Sequence, residues 1–258
     1  MSMQFPNESA EYRAARNTLL EKELALRRAT EAVAVARRAL PPGGKVPEDY
    51  LFTGRINDGS TGGARLSELF APGLDTLVVY SFMFPRSRND ERPGPAAGET
   101  AALALPDGPC PSCTALLDQL DGAARHLGHL INFVVVAKTS ASRLLRFGDE
   151  RGWRYLRLLS SAGNSYNRDY HGETQEDAQQ PMLNVFRRAG DGIRHFWGSE
   201  LLDAPSDPGQ DMRHVGTLEP MWNMLDLTPK GRGTLEEQLQ YSCCAPAGQA
   251  HVQVNSAT

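Results

Sequence analysis

Two cysteines separated by two residues, Cys110 and Cys113, stand between an apolar run at 77–84 and a helical pattern at 116–127. A cysteine that caps a helix faces unpaired backbone N–H groups and the positive end of the helix dipole, which favour the thiolate. Pro111 suits the first helical position, because that position needs no N–H donor. The stretch therefore predicts a thiol–disulfide site, with Cys110 as the exposed attacking thiol and Cys113, one turn later, as the resolving thiol.

The same two cysteines are compatible with other roles. A structural zinc site needs four ligands, but the remaining cysteines, Cys243 and Cys244, are adjacent in a polar tail without a second Cys-x-x-Cys or His-x-x-x-His pattern. His195 and His214 have no metal-ligand spacing with other residues and are interpreted as ordinary histidines. We therefore expect no metal and no cofactor, while a structural disulfide and a pair of inert buried thiols stay open.

Composition and charge exclude several other classes of protein. The 258-residue chain has a net charge of −4 and a pI near 5.9, so nothing points to nucleic acid or an anionic membrane as a partner. Four cysteines are too few for a disulfide-rich secreted scaffold. The sequence has neither a signal-peptide pattern nor an apolar run long enough to cross a bilayer. We expect a soluble cytoplasmic protein, in which a functional disulfide is transient because the thiol pool is reducing.

The sequence pattern divides the chain into three parts. Residues 1–44 form an N-terminal helical extension, residues 45–232 form the main domain, and residues 233–258 form a flexible C-terminal tail. In the extension, one long helix is predicted over 9–40, and its apolar stripe recurs every seven residues at Tyr12, Leu19, Leu26, Val33 and Leu40. Such a stripe either packs on the chain's own domain or clasps a second copy as a coiled coil, which gives a homodimer.

The main domain alternates predicted strands and helices. Apolar runs at 77–84 and 130–137 predict buried strands, and helices are expected after Cys110 and over 141–151. Two strand-like runs around the turn at 189–192 predict a β-hairpin. This order is typical of an α/β fold with a central sheet flanked by helices.

Three further segments are candidates for positions near the cysteines. Pro181, just before the hairpin, is a candidate cis proline that faces the cysteines and contacts substrate. Trp153 and Tyr166 belong to a polar and aromatic stretch that either lines a substrate surface or is an ordinary surface loop with tyrosines packed inward. The proline-rich segment 85–109 is either a lid over the site or a disordered loop.

Seven short segments, spread over residues 9–232, together resemble the DUF899 family of bacterial thioredoxin-like proteins. They are Glu11-Tyr-Arg-Ala-Ala-Arg, Leu24-Ala-Leu-Arg-Arg, Arg38-Ala-Leu-Pro-Pro-Gly, Gly108-Pro-Cys-Pro-Ser-Cys, Gly152-Trp-Arg, Asn184-Val-Phe-Arg-Arg and Leu225-Asp-Leu-Thr-Pro-Lys-Gly-Arg. The resemblance implies a thioredoxin-like fold of the peroxiredoxin-like branch and a dithiol–disulfide oxidoreductase activity. The chain departs from the family pattern in its longer connection from Phe84 to Cys110, which bears on access to the thiol.

Three functions are therefore carried forward. The first is a thiol–disulfide oxidoreductase that acts on a protein or small-molecule thiol or disulfide. The second is a thiol peroxidase, which needs an arginine and a hydroxyl close to the thiolate; Arg154 is the arginine available if the fold brings it near. The third is a non-catalytic dimeric protein, whose cysteines are vestigial or sense redox state.

Overall fold

The computed structural model describes residues 3–56, 60–202, 204–208 and 218–241. The chain forms two compact units, Met1–Gly43 and Gly44–Thr258. Cys243, Cys244 and His214, which the sequence analysis considered, lie outside the described residues.

The first unit contains one long helix, as predicted. Helix α1 spans Ala10–Arg38, and the Ser9 hydroxyl caps it by accepting a hydrogen bond from the Tyr12 backbone N–H at 3.1 Å. The pairing of this helix with a second copy remains a prediction.

The second unit is built on a mixed sheet of seven strands, so the predicted α/β class is confirmed. The strands are β1 Leu51–Arg55, β2 Thr61–Arg65, β3 Thr76–Phe82, β4 Asn132–Ala137, β5 Arg157–Ser160, β6 Met182–Ala189 and β7 Gly192–Gly198, in the spatial order β2-β1-β5-β4-β3-β6-β7. The three strands at the centre, β3, β4 and β5, are parallel. Strands β6 and β7 form the predicted hairpin, and β6 runs antiparallel to β3.

The α-helices in the described part of this unit are α2 Pro111–Leu127, α3 Ala141–Arg151, α4 Tyr166–Asp169 and α5 Pro220–Asp226. The predicted cap of α3 is present, because the Ser140 hydroxyl accepts from the Arg143 N–H at 3.3 Å. Gly152 ends the helix in the left-handed region at φ 76°, which glycine adopts without steric cost. No helix among the described residues is long and apolar enough to span a membrane.

The two faces of the sheet carry separate hydrophobic cores. Alternation along β3 places Tyr80 and Phe82 on one face and Leu77 and Val79 on the other. The first core, between the sheet and helices α2 and α3, also contains Cys110 and Cys113. The cysteines therefore lie in a packed layer at the end of the central strand.

Segment 85–109 has defined local structure, with 3-10 turns at Glu99–Ala102 and Leu105–Asp107. Its ends are fixed beside the cysteines, because the Arg86 N–H donates to the Gly108 carbonyl at 2.9 Å. The cis peptide bond found here joins Phe84 and Pro85. The expectation of a cis bond at Pro181 was wrong, because the Gln180–Pro181 bond is trans.

Residues 218–241 return to the face of the sheet that carries the cysteines. The α5 N–H of Met221 donates to the Gln119 side chain of α2 at 2.7 Å. Leu239 is buried in the same core as the cysteines, and its carbonyl accepts from Arg151 of α3 at 2.7 Å. The described part of the predicted tail, residues 233–241, is thus packed against α2 and α3.

Candidate active site

Cys110 is the N-cap residue of α2, with Pro111 at the first helical position, as the sequence predicts. Its backbone is held on both sides: its N–H donates to the Met83 carbonyl at 3.0 Å, and its carbonyl accepts from the Thr114 N–H at 3.0 Å. The Thr114 hydroxyl donates to the same carbonyl at 2.8 Å. The cysteine is therefore rigidly placed where the strand that leaves the sheet enters the helix.

The surroundings of Cys110 favour its thiolate. Its pKa is lowered to about 7, chiefly by a hydrogen bond from the Cys113 thiol, and further by the Cys113 backbone N–H and the charge of Arg92. Burial and the negative charge of Asp90 raise the pKa of Cys110, but the net effect of all these interactions is to lower it. A substantial fraction of Cys110 is thus ionised at neutral pH, which is the reactive form of a thiol.

Cys113 has the opposite character. It is completely buried, and its pKa is raised well above that of a free thiol, first by burial and then by its hydrogen bond to Cys110 and the charge there. Hydrogen bonds from the Tyr80 hydroxyl and the Met83 backbone N–H to its sulfur lower the pKa of Cys113, but by less than burial raises it. Cys113 consequently keeps its proton as long as no substrate is attached to Cys110, which suits a resolving thiol.

A charged cluster from segment 85–109 borders the cysteines. Arg92 donates two hydrogen bonds to the Asp90 carboxylate, from Nε at 2.9 Å and from Nη2 at 2.7 Å. Its Nη1 donates to the Ser112 hydroxyl at 2.9 Å. The buried Arg86 donates from Nη1 to the Arg92 carbonyl at 2.6 Å, and burial lowers its pKa. These residues belong to the run of charged residues just upstream of Cys110, but no spacing pattern in the sequence predicts that they border the cysteines.

The C-terminal segment meets this cluster at Glu237. The hydroxyl of Ser112, which lies between the two cysteines, donates to Glu237 Oε2 at 3.0 Å. Arg92 Nη1 donates to the Glu237 carbonyl at 3.1 Å. Charges from two distant parts of the chain therefore meet directly over the start of α2.

An open pocket of about 300 Å³ leads to the thiols. Cys110 and Cys113 line it together with Met83, Asp90, Arg92 and Pro181. Cys110 is 5% exposed and Cys113 is not exposed at all, so a reagent that enters this pocket reaches Cys110 first.

The structure brings one of the three predicted substrate-contacting residues to the pocket. Pro181 lines it, because the register Ser81↔Met182 places the start of β6 beside the end of β3. Trp153 is buried in the core that contains the cysteines, and its indole N–H donates to Asp118 at 2.8 Å. Tyr166 is completely buried in the core on the opposite face of the sheet.

Two further expectations concern arginine and metal. Arg154 does not line the pocket, and its backbone N–H donates to Asp121 at 3.0 Å. Arg92 lowers the pKa of Cys110, and the charge of Cys110 in turn raises the pKa of Arg86. Within the described part of the chain, no group of three or more histidine, cysteine or acidic side chains is arranged to hold a metal ion.

Comparison with known proteins identifies a family. The family model "Bacterial protein of unknown function (DUF899)" matches residues 1–245. No curated protein sequence matches the chain.

Solved structures similar to the chain include peroxiredoxins and a thioredoxin. Reduced Prx3 from Vibrio vulnificus, in complex with hydrogen peroxide, is 12% identical, with 67% of this chain and 91% of that chain covered and a TM-score of 0.37. Peroxiredoxin Q from Xanthomonas campestris is 11% identical, with coverages of 60% and 84% and a TM-score of 0.39. The exposed lipoprotein thioredoxin of Streptococcus pneumoniae is 14% identical, with coverages of 67% and 99% and a TM-score of 0.38.

Proposed function

The chain belongs to the DUF899 family, and from that premise we propose that it is a cytoplasmic thiol–disulfide oxidoreductase that uses Cys110 as the attacking and Cys113 as the resolving thiol. The observation that carries the proposal is the contrast between the two cysteines. The pKa of Cys110 is lowered to about 7 at a helix start, while one turn later the pKa of the buried Cys113 is raised. A pair with opposite proton affinities divides naturally into a nucleophile and a resolving thiol.

The reaction proceeds in two exchanges. The Cys110 thiolate attacks one sulfur of a substrate disulfide, the substrate S–S bond breaks, and one substrate thiol leaves. Cys113 then loses its proton and attacks Cys110, which forms the Cys110–Cys113 disulfide and releases the second substrate thiol. The substrate gains two electrons and the dithiol loses two; an external thiol reductant restores the dithiol by the reverse exchanges.

The deciding experiment is the redox equilibrium of the pair. The Cys243→Ser/Cys244→Ser variant would be equilibrated in a glutathione series, its free thiols trapped by alkylation, and the trapped thiols counted by mass spectrometry. We expect a reversible two-electron transition within the range of cellular glutathione. Two thiols that stay free across the series, or a disulfide that never reduces, would contradict the proposal.

The division of roles has its own test. The Cys113→Ser variant should accumulate a mixed disulfide between Cys110 and a small thiol such as glutathione, because the resolving sulfur is missing. The matched Cys110→Ser variant should trap no adduct, since the remaining thiol is buried and protonated. Equal trapping by both variants would refute the assignment.

A thiol peroxidase is the second candidate, and the arginines favour it. The charges of Arg86 and Arg92 both act on Cys110, which is the environment that stabilises a thiolate beside a peroxide. The thiolate would attack one peroxide oxygen, the O–O bond would break, and Cys113 would displace water from the sulfenic acid that forms. The two activities are distinguished by the rate at which the free Cys110 thiol disappears with hydrogen peroxide and with oxidised glutathione. A peroxidase reacts faster with the peroxide, and an oxidoreductase reacts faster with the disulfide.

A further inference from the structure

The pocket over Cys110 limits the kind of disulfide that can reach the thiolate. Its volume of about 300 Å³ lies at the lower end of the range for small-molecule sites, about 300–1,000 Å³. Cys110 is 5% exposed, so a substrate sulfur must enter this pocket to come into contact with it. The groups around the pocket therefore decide how large the arm that carries the attacked sulfur can be.

One side of the approach to the thiolate is closed by the residue between the cysteines and its two partners. The Ser112 hydroxyl donates to Glu237 Oε2 at 3.0 Å and accepts a hydrogen bond from Arg92 Nη1 at 2.9 Å. Arg92 also donates to the Glu237 backbone carbonyl at 3.1 Å, which fixes the main chain of the C-terminal segment at this point. Further along this segment, Leu239 is buried in the same core as the cysteines, and its carbonyl accepts from Arg151 at 2.7 Å. The segment is thus held at two points beside the start of α2.

This closure is built from charges that are themselves largely buried. The side chains of Asp90 and Glu237 are only 10% and 12% exposed. Arg92 pairs with both, from Nη2 to Asp90 Oδ2 at 2.7 Å and from Nη1 to Glu237 Oε2 at 3.6 Å. Moving Glu237 aside to admit a wider substrate would separate a largely buried charge pair, which is costly. The pairing therefore keeps the pocket narrow on this side.

A disulfide that belongs to a protein needs room for a main chain close to Cys110. The two Cα atoms of a disulfide lie about 4.4–6.8 Å apart, so the substrate backbone in a mixed disulfide would pass within that distance of the Cys110 backbone. The backbone of a protein continues on both sides of its cysteine, with about 3.8 Å between consecutive Cα atoms. Such a chain needs a groove that is open at both ends, whereas here the side next to Ser112 is filled by Arg92 and Glu237. A small disulfide has one short arm on each sulfur and needs no such groove.

The remaining lining of the pocket suits a short arm of this kind. Met83 and Pro181 present apolar surface to the pocket, and Ser87 and Asn89 add neutral polar groups. An aliphatic chain that carries the sulfur can pack on the first pair, and a polar end can form hydrogen bonds with the second. The lining thus matches the composition of a low-molecular-weight thiol.

We propose that the substrate of Cys110 is a small-molecule disulfide, and that Glu237, held by Ser112 and Arg92, excludes the disulfides of proteins. The Cys110 thiolate attacks one sulfur of the substrate, the substrate S–S bond breaks, and one small thiol leaves. Cys113 then attacks Cys110 and releases the second small thiol, so the substrate gains two electrons as the Cys110–Cys113 disulfide forms. This inference rests on the proposed dithiol function and names the class of substrate on which that function acts.

The test compares a small disulfide with a protein disulfide in a single turnover. The reduced full-length chain carrying Cys243→Ser and Cys244→Ser would be mixed with an excess of hydroxyethyl disulfide or of insulin and quenched by alkylation. Mass spectrometry then gives the rate at which the free thiols of Cys110 and Cys113 disappear. Both disulfides would also be reacted with dithiothreitol, and dividing by these rates corrects for their intrinsic reactivity. We expect the corrected rate constant to be about 10²-fold higher for hydroxyethyl disulfide, because insulin must first separate a largely buried charge pair.

Two substitutions of Glu237 test its role in the exclusion. Glu237→Ala removes the acceptor of the Ser112 hydroxyl, whereas Glu237→Gln keeps an oxygen that can accept that hydrogen bond. We expect Glu237→Ala to raise the corrected ratio of the insulin rate to the hydroxyethyl disulfide rate by about 10-fold, roughly the contribution of a hydrogen bond to a charged group. Glu237→Gln should raise this ratio less, and Glu236→Ala, which changes an exposed neighbour, should leave it unchanged. Because a ratio is compared, a change in the reactivity of Cys110 itself affects both rates alike.

The outcomes separate this inference from the function on which it rests. A parent protein that reacts with neither disulfide contradicts the dithiol function itself. A parent protein whose corrected rate with insulin equals or exceeds that with hydroxyethyl disulfide overturns the exclusion of proteins and leaves the dithiol function intact. A ratio that is the same in the parent and in folded Glu237→Ala overturns the role of Glu237. Thermal unfolding checks the folding of each variant; if Glu237→Ala does not fold, Ser112→Ala, which removes the same hydrogen bond, takes its place.

Discussion

Replacing Glu219 by glutamine should change how the stability of the protein depends on pH. In the folded state the pKa of this carboxyl group is raised from 4.5 to about 7, mainly by burial. The folded protein therefore holds the proton more tightly than the unfolded chain does. The resulting stabilisation is fully present below pH 4.5, declines as pH rises, and is lost above about pH 7.

The size of this effect follows from the two pKa values. One pKa unit corresponds to about 1.4 kcal/mol, so the difference between them amounts to roughly 3 kcal/mol of unfolding free energy. Glu219 is 3% exposed, so solvent screening reduces this little. Because domains are stable by only about 5–15 kcal/mol, the loss is a large fraction of the total. Glutamine in the same place is also buried, but the free-energy cost of burying it does not vary with pH.

The assay is denaturant unfolding of the parent protein and Glu219→Gln at intervals from pH 4.5 to 8. All other ionisable groups are shared, so the difference between the two curves isolates Glu219. We expect the unfolding free energy of the parent to fall by about 3 kcal/mol relative to that of the variant across this range. The control Glu236→Gln, which removes an exposed charge from the same C-terminal segment, should follow the parent. If the unfolding free energies of the parent and Glu219→Gln instead change in parallel with pH, to within about 0.5 kcal/mol, the reasoning is refuted. The carboxyl group would then have the same pKa in the folded and the unfolded protein.

Other predictions concern the thiols and the segments around them. The alkylation rate of Cys110 should rise through a midpoint near pH 7, as measured by iodoacetamide labelling against pH. Cys113→Ala should move that midpoint upward, because the hydrogen bond from the Cys113 thiol that lowers the pKa of Cys110 is lost. Arg92→Gln should also raise the pKa of Cys110, because the positive charge of Arg92 is lost and Asp90 loses its hydrogen bonds to the guanidinium. The same labelling series tests this, and an unchanged midpoint would count against it. Leu239→Ala should destabilise the protein by about 2–5 kcal/mol, the usual cost of a large cavity, and denaturant unfolding would reveal an error if the loss stays below about 1 kcal/mol.

The strand, the Cys-x-x-Cys and the helix were predictable from the sequence because each depends on neighbouring residues. Apolar residues without alternation indicate a strand covered on both faces, and β3 has this character. Pro111 and the helical spacing after it define the start of α2 within one residue. Pro181 was also placed correctly beside the cysteines, although the bond that precedes it is trans.

The groups that tune the thiols were not predictable in the same way, because they are remote in sequence. Ser112 and Glu237 are 125 residues apart, and Arg92 is separated from Glu237 by 145. No periodicity or spacing rule connects such positions, since only the packed chain brings them together. For Tyr166 the sequence left two alternatives, a substrate surface or a tyrosine packed inward, and its ring is buried in the other core.

Two segments that are remote from each other in sequence meet over the start of α2. Segment 85–109 contributes the positive charge of Arg92, which favours the thiolate of Cys110. The C-terminal segment contributes Glu237, whose Oε2 accepts from the Ser112 hydroxyl at 3.0 Å and whose backbone carbonyl accepts from Arg92 at 3.1 Å. Burial keeps the proton on Cys113, so the two thiols are in different protonation states before substrate arrives. A substitution in segment 85–109 should therefore alter the reactivity of Cys110 more than that of Cys113, although this segment contains no reacting sulfur.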